Sequence, residues 1–199
     1  MISRWKRIAR YTSLALSACL LVMVLAACDG SNGTAANQPS PTPVVQWLLY
    51  QGTGFTMNYP SNWHKNASGD QVTFADPVGK DLLAIFADPD LGSEPDANAV
   101  ANQAMTRFEG TLLANAQAVK VPPTFTTGKV TWIQLSATGE LAVADPGVQG
   151  NLFLLVTNYP PQTKNTVTYQ IEYYGPSATF GQANASFMRM LQSINFASA

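Results

Sequence analysis

A chain of 199 residues, 46% hydrophobic and 12% charged, is long enough for one domain with a core of its own and too apolar to be a disordered tail. The formal net charge of −1 conceals a split, because four of the eleven Lys/Arg lie in the first ten residues and the other seven are scattered singly among twelve Asp/Glu. No basic footprint that could follow a phosphate backbone can be read, so nucleic acid is excluded as a partner.

Met1 to Arg10 carries Arg4, Lys6, Arg7 and Arg10 and no acid, the positive start of an export signal. Leu14 to Leu25 is the apolar run that follows; even with Ala26 and Ala27 it falls short of the ~20 residues of a spanning helix. It ends in Leu25-Ala26-Ala27-Cys28, which resembles the lipobox of bacterial lipoproteins. That resemblance implies a diacylglyceryl group on the Cys28 thiol, cleavage before Cys28, and often a further acyl chain such as palmitate on the new amino group. One acyl chain binds a bilayer only marginally, so the two or three expected here would anchor the protein stably. Residues 1–27 are thus expected to be a signal peptide, and the mature chain to sit lipid-anchored on the extracytoplasmic face of a cell membrane. Cys19 lies in the apolar run, so no cysteine remains downstream of Cys28 for a disulfide, a thiolate nucleophile or a thiolate metal site.

Residues 28–43 are expected to be the lipidated cysteine and its tether. Asp29 to Pro43 is rich in Gly, Ser, Asn and Pro and lacks large apolar residues, so it cannot bury enough surface to offset its ordering entropy. As a coil it would span about 20 Å on average.

The domain expected over 44–199 opens with Val44 to Tyr50, a strand or docking segment. Phe55, Met57 and Tyr59 alternate with Thr56 and Asn58, which predicts a half-buried strand ended by Pro60. Gln71 to Phe74 is a second short strand. Leu82 to Ala87, apolar at every position, predicts a strand buried on both faces. From Ser93 the period becomes helical: Ser93 with Asp96 approximates a capping box, and Ala97, Val100, Ala101, Ala104, Met105, Phe108 and Leu112 form one stripe. Gln117 to Val121 leads out as a strand. Val130 to Thr138, Gly150 to Tyr159 and Thr166 to Tyr174 follow as three longer strands, with Leu152 to Val156 placed centrally and Thr166, Thr168, Gln170 and Glu172 on a wetter face. Phe180, Ala183, Phe187, Met190, Leu191 and Ile194 mark a closing helix. Short links between consecutive strands predict an α+β fold, an antiparallel sheet flanked by helices in an α/β/α sandwich.

Catalytic chemistry finds little material. His64 is the sole histidine, placed in a turn after Trp63, and no Gly-x-Ser-x-Gly elbow accompanies it. The run Asp88 to Asp96 alternates carboxylates before Gly92 as a calcium loop does, but the position that should hold a bidentate Glu is Asn98, so a solvated capping loop is the better reading. Glu140 and Glu172 are candidate paired carboxylates for glycosidase chemistry only if they flank a cleft. Aromatic residues gather near strand ends and on the less apolar strand faces, and Trp63, Trp132 and Tyr173 are the candidates to line an apolar-aromatic groove.

The set formed by Gly54-Phe-x-x-x-Tyr-Pro-x-x-Trp63, the strand ending at Phe74, the helix after an acidic loop, the antiparallel strands and the final Leu191-x-Ser-Ile-x-Phe196 resembles the PsbP family. That fold is shared with a Ran-binding nuclear import factor and with bacterial lipoproteins of unknown role. The resemblance covers Val44 to Ala199 and implies an antiparallel sheet between helices and a non-catalytic accessory or adaptor role; no functional residue is carried over from it. The expected function is therefore a membrane-anchored binding module rather than an enzyme, needing no cofactor, with an envelope protein as partner. The alternatives are a carrier or sensor of a small apolar ligand, which would show a closed aromatic cavity, and an envelope hydrolase, which would bring carboxylates or His64 together in a cleft.

Overall fold

The structure, a computed structural model, describes residues 44–89, 95–142, 146–161 and 166–197, all within the compact unit Pro43–Ala199. The chain order is β1 (Trp47–Gly52), β2 (Phe55–Pro60), β3 (His64–Ser68), β4 (Gln71–Ala75), β5 (Leu82–Asp88), α1 (Ala97–Thr111), β6 (Leu113–Ala118), β7 (Thr124–Thr127), β8 (Val130–Leu141), β9 (Gln149–Tyr159), β10 (Val167–Pro176), α2 (Ser177–Gln192) and β11 (Asn195–Phe196). Every strand pair is antiparallel. The larger sheet runs β3-β4-β5-β10-β9-β8-β6, with β7 also on β8, and the smaller runs β1-β2-β11.

The apolar runs explain this order. Leu152, Leu154, Leu155 and Val156 of β9 are fully buried because β9 lies between β10 and β8 and both its faces are covered. β5 is buried likewise, paired to β10 from Leu82↔Tyr174 to Asp88↔Thr168. On one face α1 lays Ala101, Ala104, Met105 and Phe108 on Ala137, Leu141, Leu152, Leu154 and Val156. On the other, Phe187, Met190 and Leu191 of α2 and the small sheet's Phe55, Met57, Tyr59 and Phe196 cover Phe74, Ile85, Leu155, Ile171 and Tyr173. The predicted α/β/α sandwich is present, with the small sheet added to the α2 layer. Gly54 closes that addition: its φ is +72°, and a Cβ there would collide with the Tyr169 hydroxyl, which donates to the Thr53 carbonyl at 3.2 Å.

Four expectations change. His64, placed in a turn from the sequence, opens the strand His64–Ser68, which is wholly exposed and held by backbone pairing to β4 across a turn at Gly69. The helix is capped by Asp96, whose carboxylate accepts from Asn98 N at 2.9 Å; Ser93 lies outside the described residues. The strand expected over Gln117 to Val121 starts at Leu113, and Thr124–Thr127 forms a further strand. Thr166, Thr168, Gln170 and Glu172, expected to face water, are 4, 3, 9 and 4% exposed. Residues of the alternate face of β10 are thus enclosed on the side of the sheet that carries α1.

The margins of the larger sheet are guarded. β3 is polar and includes Lys65, while β8's outer margin is shared end to end by two short strands, β7 opposite Val130 to Ile133 and β6 opposite Ala137 to Leu141. The register of β6 shifts between Ala114 and Gln117, and Asn115 takes φ 53°.

Candidate binding site

Between these two short strands the chain leaves the sheet. Val119 N donates to Ser136 O and Gln134 N to Pro123 O, each at 2.9 Å, so residues 120–122 arch away from β8 while both ends stay bonded to it. The arch faces α1, and an open cleft of about 400 Å³ lies between them. Its floor is Ile133 and Leu135 of β8, with Met105 from α1 and Val119 and Val121 from the arch. Its rim is polar: Asn98, Asn102, Thr106 and Glu109 recur along one edge of α1, and Lys120 stands opposite. Helical spacing puts those four beside the buried stripe, not on it. Carboxamides carry both donors and acceptors, so Asn98 and Asn102 can satisfy a peptide backbone while the floor takes apolar side chains. Part of this rim is preorganised, since Asn102 Nδ2 donates to Asn98 O at 2.9 Å.

Beneath the same side of the sheet lies a buried polar group. The Gln170 amide donates to Glu172 Oε1, and Asn158 bonds both Thr168 Oγ1 (2.9 Å) and Pro95 O (2.6 Å), which ties β9 and β10 to the start of α1. Burial pushes Glu172 up to about 7, against the opposing effects of the Gln170 hydrogen bond and the Arg107 charge. Across the sheet, Asp81 is 1% exposed, and burial raises its carboxyl, the nearby Thr179 and Tyr173 hydroxyls opposing the rise and the Asp76 charge adding to it. A side chain at Gly175 would strike Asp81, so this carboxyl is fitted closely against β10.

The residues expected to form an aromatic groove are inside the core. Trp63, Trp132 and Tyr173 are 7, 1 and 0% exposed, and so present almost no surface to a partner. Tyr173 stacks on Phe187 with centroids 4.4 Å apart and meets Phe180 at 4.6 Å; Trp132 lies 6.0 Å from Phe196. Rings meeting rings occupy the space that an enclosed apolar ligand would take. Cys28 lies outside the described residues, as do Asp90 to Glu94 of the acidic run. His64, Glu172 and Glu140 do not converge: β3 is three strands from β10 and β10 two from β8, roughly 14 and 10 Å at ordinary strand spacing. Among the described residues no three His, Cys, Asp or Glu come together as metal ligands.

Sequence reasoning did not single out the cleft residues. The spacing of Asn98, Asn102, Thr106 and Glu109 was available, but it is also the spacing of any solvated helix edge.

No protein-family profile matches this chain, and no curated protein does. Solved structures do. The structure of LpqN, involved in cell envelope biogenesis of Mycobacterium tuberculosis, is similar over 77% of this chain and 92% of its own, at 13% identity and a TM-score of 0.50. Cyanobacterial PsbP (CyanoP) from Synechocystis sp. PCC 6803 is similar over 81% of this chain and 99% of its own, at 15% identity and a TM-score of 0.47. The Ran-binding protein Mog1p of Saccharomyces cerevisiae is similar over 77% and 96%, at 10% identity and 0.44. These likenesses are of fold, and the PsbP resemblance read in the sequence falls among them.

Proposed function

We propose that this chain is a membrane-anchored extracytoplasmic lipoprotein, attached through acylated Cys28, that serves as a non-catalytic binding module, its α1 cleft receiving an extended segment of an envelope protein. The observation that carries the binding role is the cleft: an apolar floor on β8 under a carboxamide rim on α1, open to solvent. Amide side chains read backbone and the floor reads alternate side chains, a division of labour suited to an extended peptide. The scattered positions of His64, Glu140 and Glu172 support a role without catalysis. The anchor rests on the signal and the Leu25-Ala26-Ala27-Cys28 box. No helix among the described residues is long and apolar enough to cross a membrane. LpqN, with which the fold is shared, works in cell envelope biogenesis, a setting compatible with an exported anchor.

Two experiments test the two halves. Intact mass of the membrane-extracted protein should give a chain starting at Cys28 with added acyl mass, and Cys28→Ala should abolish that species; an unprocessed chain would remove the anchor. A photo-crosslinking residue at Asn102 or Thr106 in the producing cells should give a discrete envelope-protein adduct that the same residue at Gln182, exposed on α2, does not give. Equal products from all three positions, or none, would remove the cleft.

A further inference from the structure

Four of the large apolar side chains that remain exposed, Val44, Val45, Leu48 and Leu49, fall within the first six described residues; Val44 is 88% and Leu49 60% exposed. Leu48 and Leu49 belong to β1, a margin strand that among the described residues pairs with β2 alone. Such margins are usually blunted by lysine, proline or a bulge. β1 reads Trp-Leu-Leu-Tyr-Gln-Gly and has none of these.

Two observations identify what covers it. First, the pair straddles the strand, Leu48 lying with Tyr50 on the side of Tyr59 and Leu49 with Trp47 on that of Asn58, so the two flank its outer edge, and the ring beside each carries a cation: the Arg189 guanidinium is 4.1 Å from the Trp47 ring centroid, and the Lys65 ammonium 5.4 Å from that of Tyr50. Aliphatic, indole, phenol and cation together form the composition that settles at the boundary between lipid headgroups and acyl chains. Second, Val44 is where the segment from Cys28 enters the domain. The residues from Asp29 to Pro43 span at most about 50 Å when fully extended. This end of the domain is therefore kept within that distance of the bilayer, where a weak attraction suffices to seat it. The mature chain carries more acids than bases, so Lys65 and Arg189 supply an attraction to anionic headgroups that the rest of the sequence opposes.

We propose that the outer edge of β1, from Val44 to Tyr50 with Lys65 and Arg189 on either side, is a membrane-contact surface that seats the domain on phospholipid headgroups. The proposal rests on the anchored reading above. The free backbone groups of β1 limit the depth, because hydrocarbon offers them no partner whereas water and headgroups do. The contact is shallow, at the level of Trp47.

The test uses the acylated protein reconstituted into vesicles of phosphatidylcholine containing roughly a third phosphatidylglycerol, with bromine on the acyl chains as a contact quencher of tryptophan. In the chain that starts at Cys28, Trp5 is gone and Trp63 and Trp132 are buried, so the quenched emission is that of Trp47, and in any chain that keeps Trp5 the Trp47→Phe blank subtracts it. Wild-type emission should be quenched, and Leu48→Ser/Leu49→Ser should lose roughly half of that quenching or more. Because the serine variant disturbs the strand, Lys65→Glu/Arg189→Glu serves as a second variant; its quenching should fall on the anionic vesicles and recover in pure phosphatidylcholine. Absence of Trp47 quenching in protein whose mass shows acylated Cys28 would overturn the surface while leaving the anchor standing. If the mass shows no acylation, the anchor fails, and the same vesicles added to the free chain then decide the surface by quenching or its absence. Conversion of a dimer to a monomer by the serine variant with unchanged quenching would make the face a contact between copies and also overturn the proposal.

Discussion

The Gln170 side-chain amide donates to Glu172 Oε1 two residues along the same strand, and both groups are enclosed on the side of the sheet that carries α1. A carboxyl held there keeps its proton to about pH 7, whereas the same group in the unfolded chain loses it near pH 4.5. Folding therefore takes up a proton between these two values. The stabilising contribution is complete below pH 4.5 and is lost as pH rises through 7, a change of at most about 3 kcal/mol. Urea denaturation at pH 5 and pH 8 should show this fall in the wild type. Glu172→Gln, uncharged at both values, should flatten it; an unchanged slope in that variant would assign the effect elsewhere.

The tyrosines give the complementary signal at high pH. Burial, and then the neighbouring Tyr159, pushes the Tyr169 hydroxyl up to about 12, and Tyr173 is raised by burial and the Asp81 carboxyl. Both keep their protons in the folded state above pH 10, where an unfolded tyrosine ionises, so their contribution is present below pH 10 and falls as pH rises toward 12. Absorbance of phenolate should show a cooperative step coincident with loss of structure. Tyr169→Phe should make that step smaller.

Gly54→Ala should destabilise the domain by about 2 kcal/mol or more, because it combines a left-handed backbone with a collision against the Tyr169 hydroxyl. In a Tyr169→Phe background the penalty of the alanine should shrink to the backbone strain of about 1 kcal/mol. Chemical denaturation of the four proteins measures the coupling.

Asp96→Ala should cost about 1 kcal/mol, since Asn98 N would lose the carboxylate that caps α1. Asp96→Asn should recover most of it. The cleft rim begins at Asn98, in the first turn of that helix, so crosslinking from Asn102 should weaken in the alanine variant more than from Thr106, deeper in the helix.

Strands with a continuous apolar signal were legible in the sequence. Leu152 to Val156 could only be central, and the alternation of Phe55, Met57 and Tyr59 set the inward face of β2 correctly. His64–Ser68 was not legible, because an exposed strand held by backbone bonds to one neighbour leaves no side-chain period. β10 shows a subtler limit. Its alternation revealed that its two faces differ in chemistry, but what lies over a polar face is decided by residues far away in the chain, here Pro95 and Arg107 beside Asn158 and Glu172. The aromatic candidates failed to mark a surface for a related reason: Trp132 and Tyr173 have the chemistry of interfaces and of cores alike, and the ring partners Phe196 and Phe187 come from the last helix and strand. The cleft combines an edge of α1 with the middle of β8, and that meeting is a product of tertiary structure.

The guarded margins of the larger sheet bear on crowding. Proteins confined to a plane meet their own copies far more often than proteins free in solution, and a bare strand edge would then grow into a ladder from one molecule to the next. A polar hairpin strand with Lys65 at one end, and two short strands interrupted by an arch at the other, offer no run long enough to template such growth. In the larger sheet, then, copies brought close together find no edge to extend, and an open strand margin is left to β1 of the small sheet.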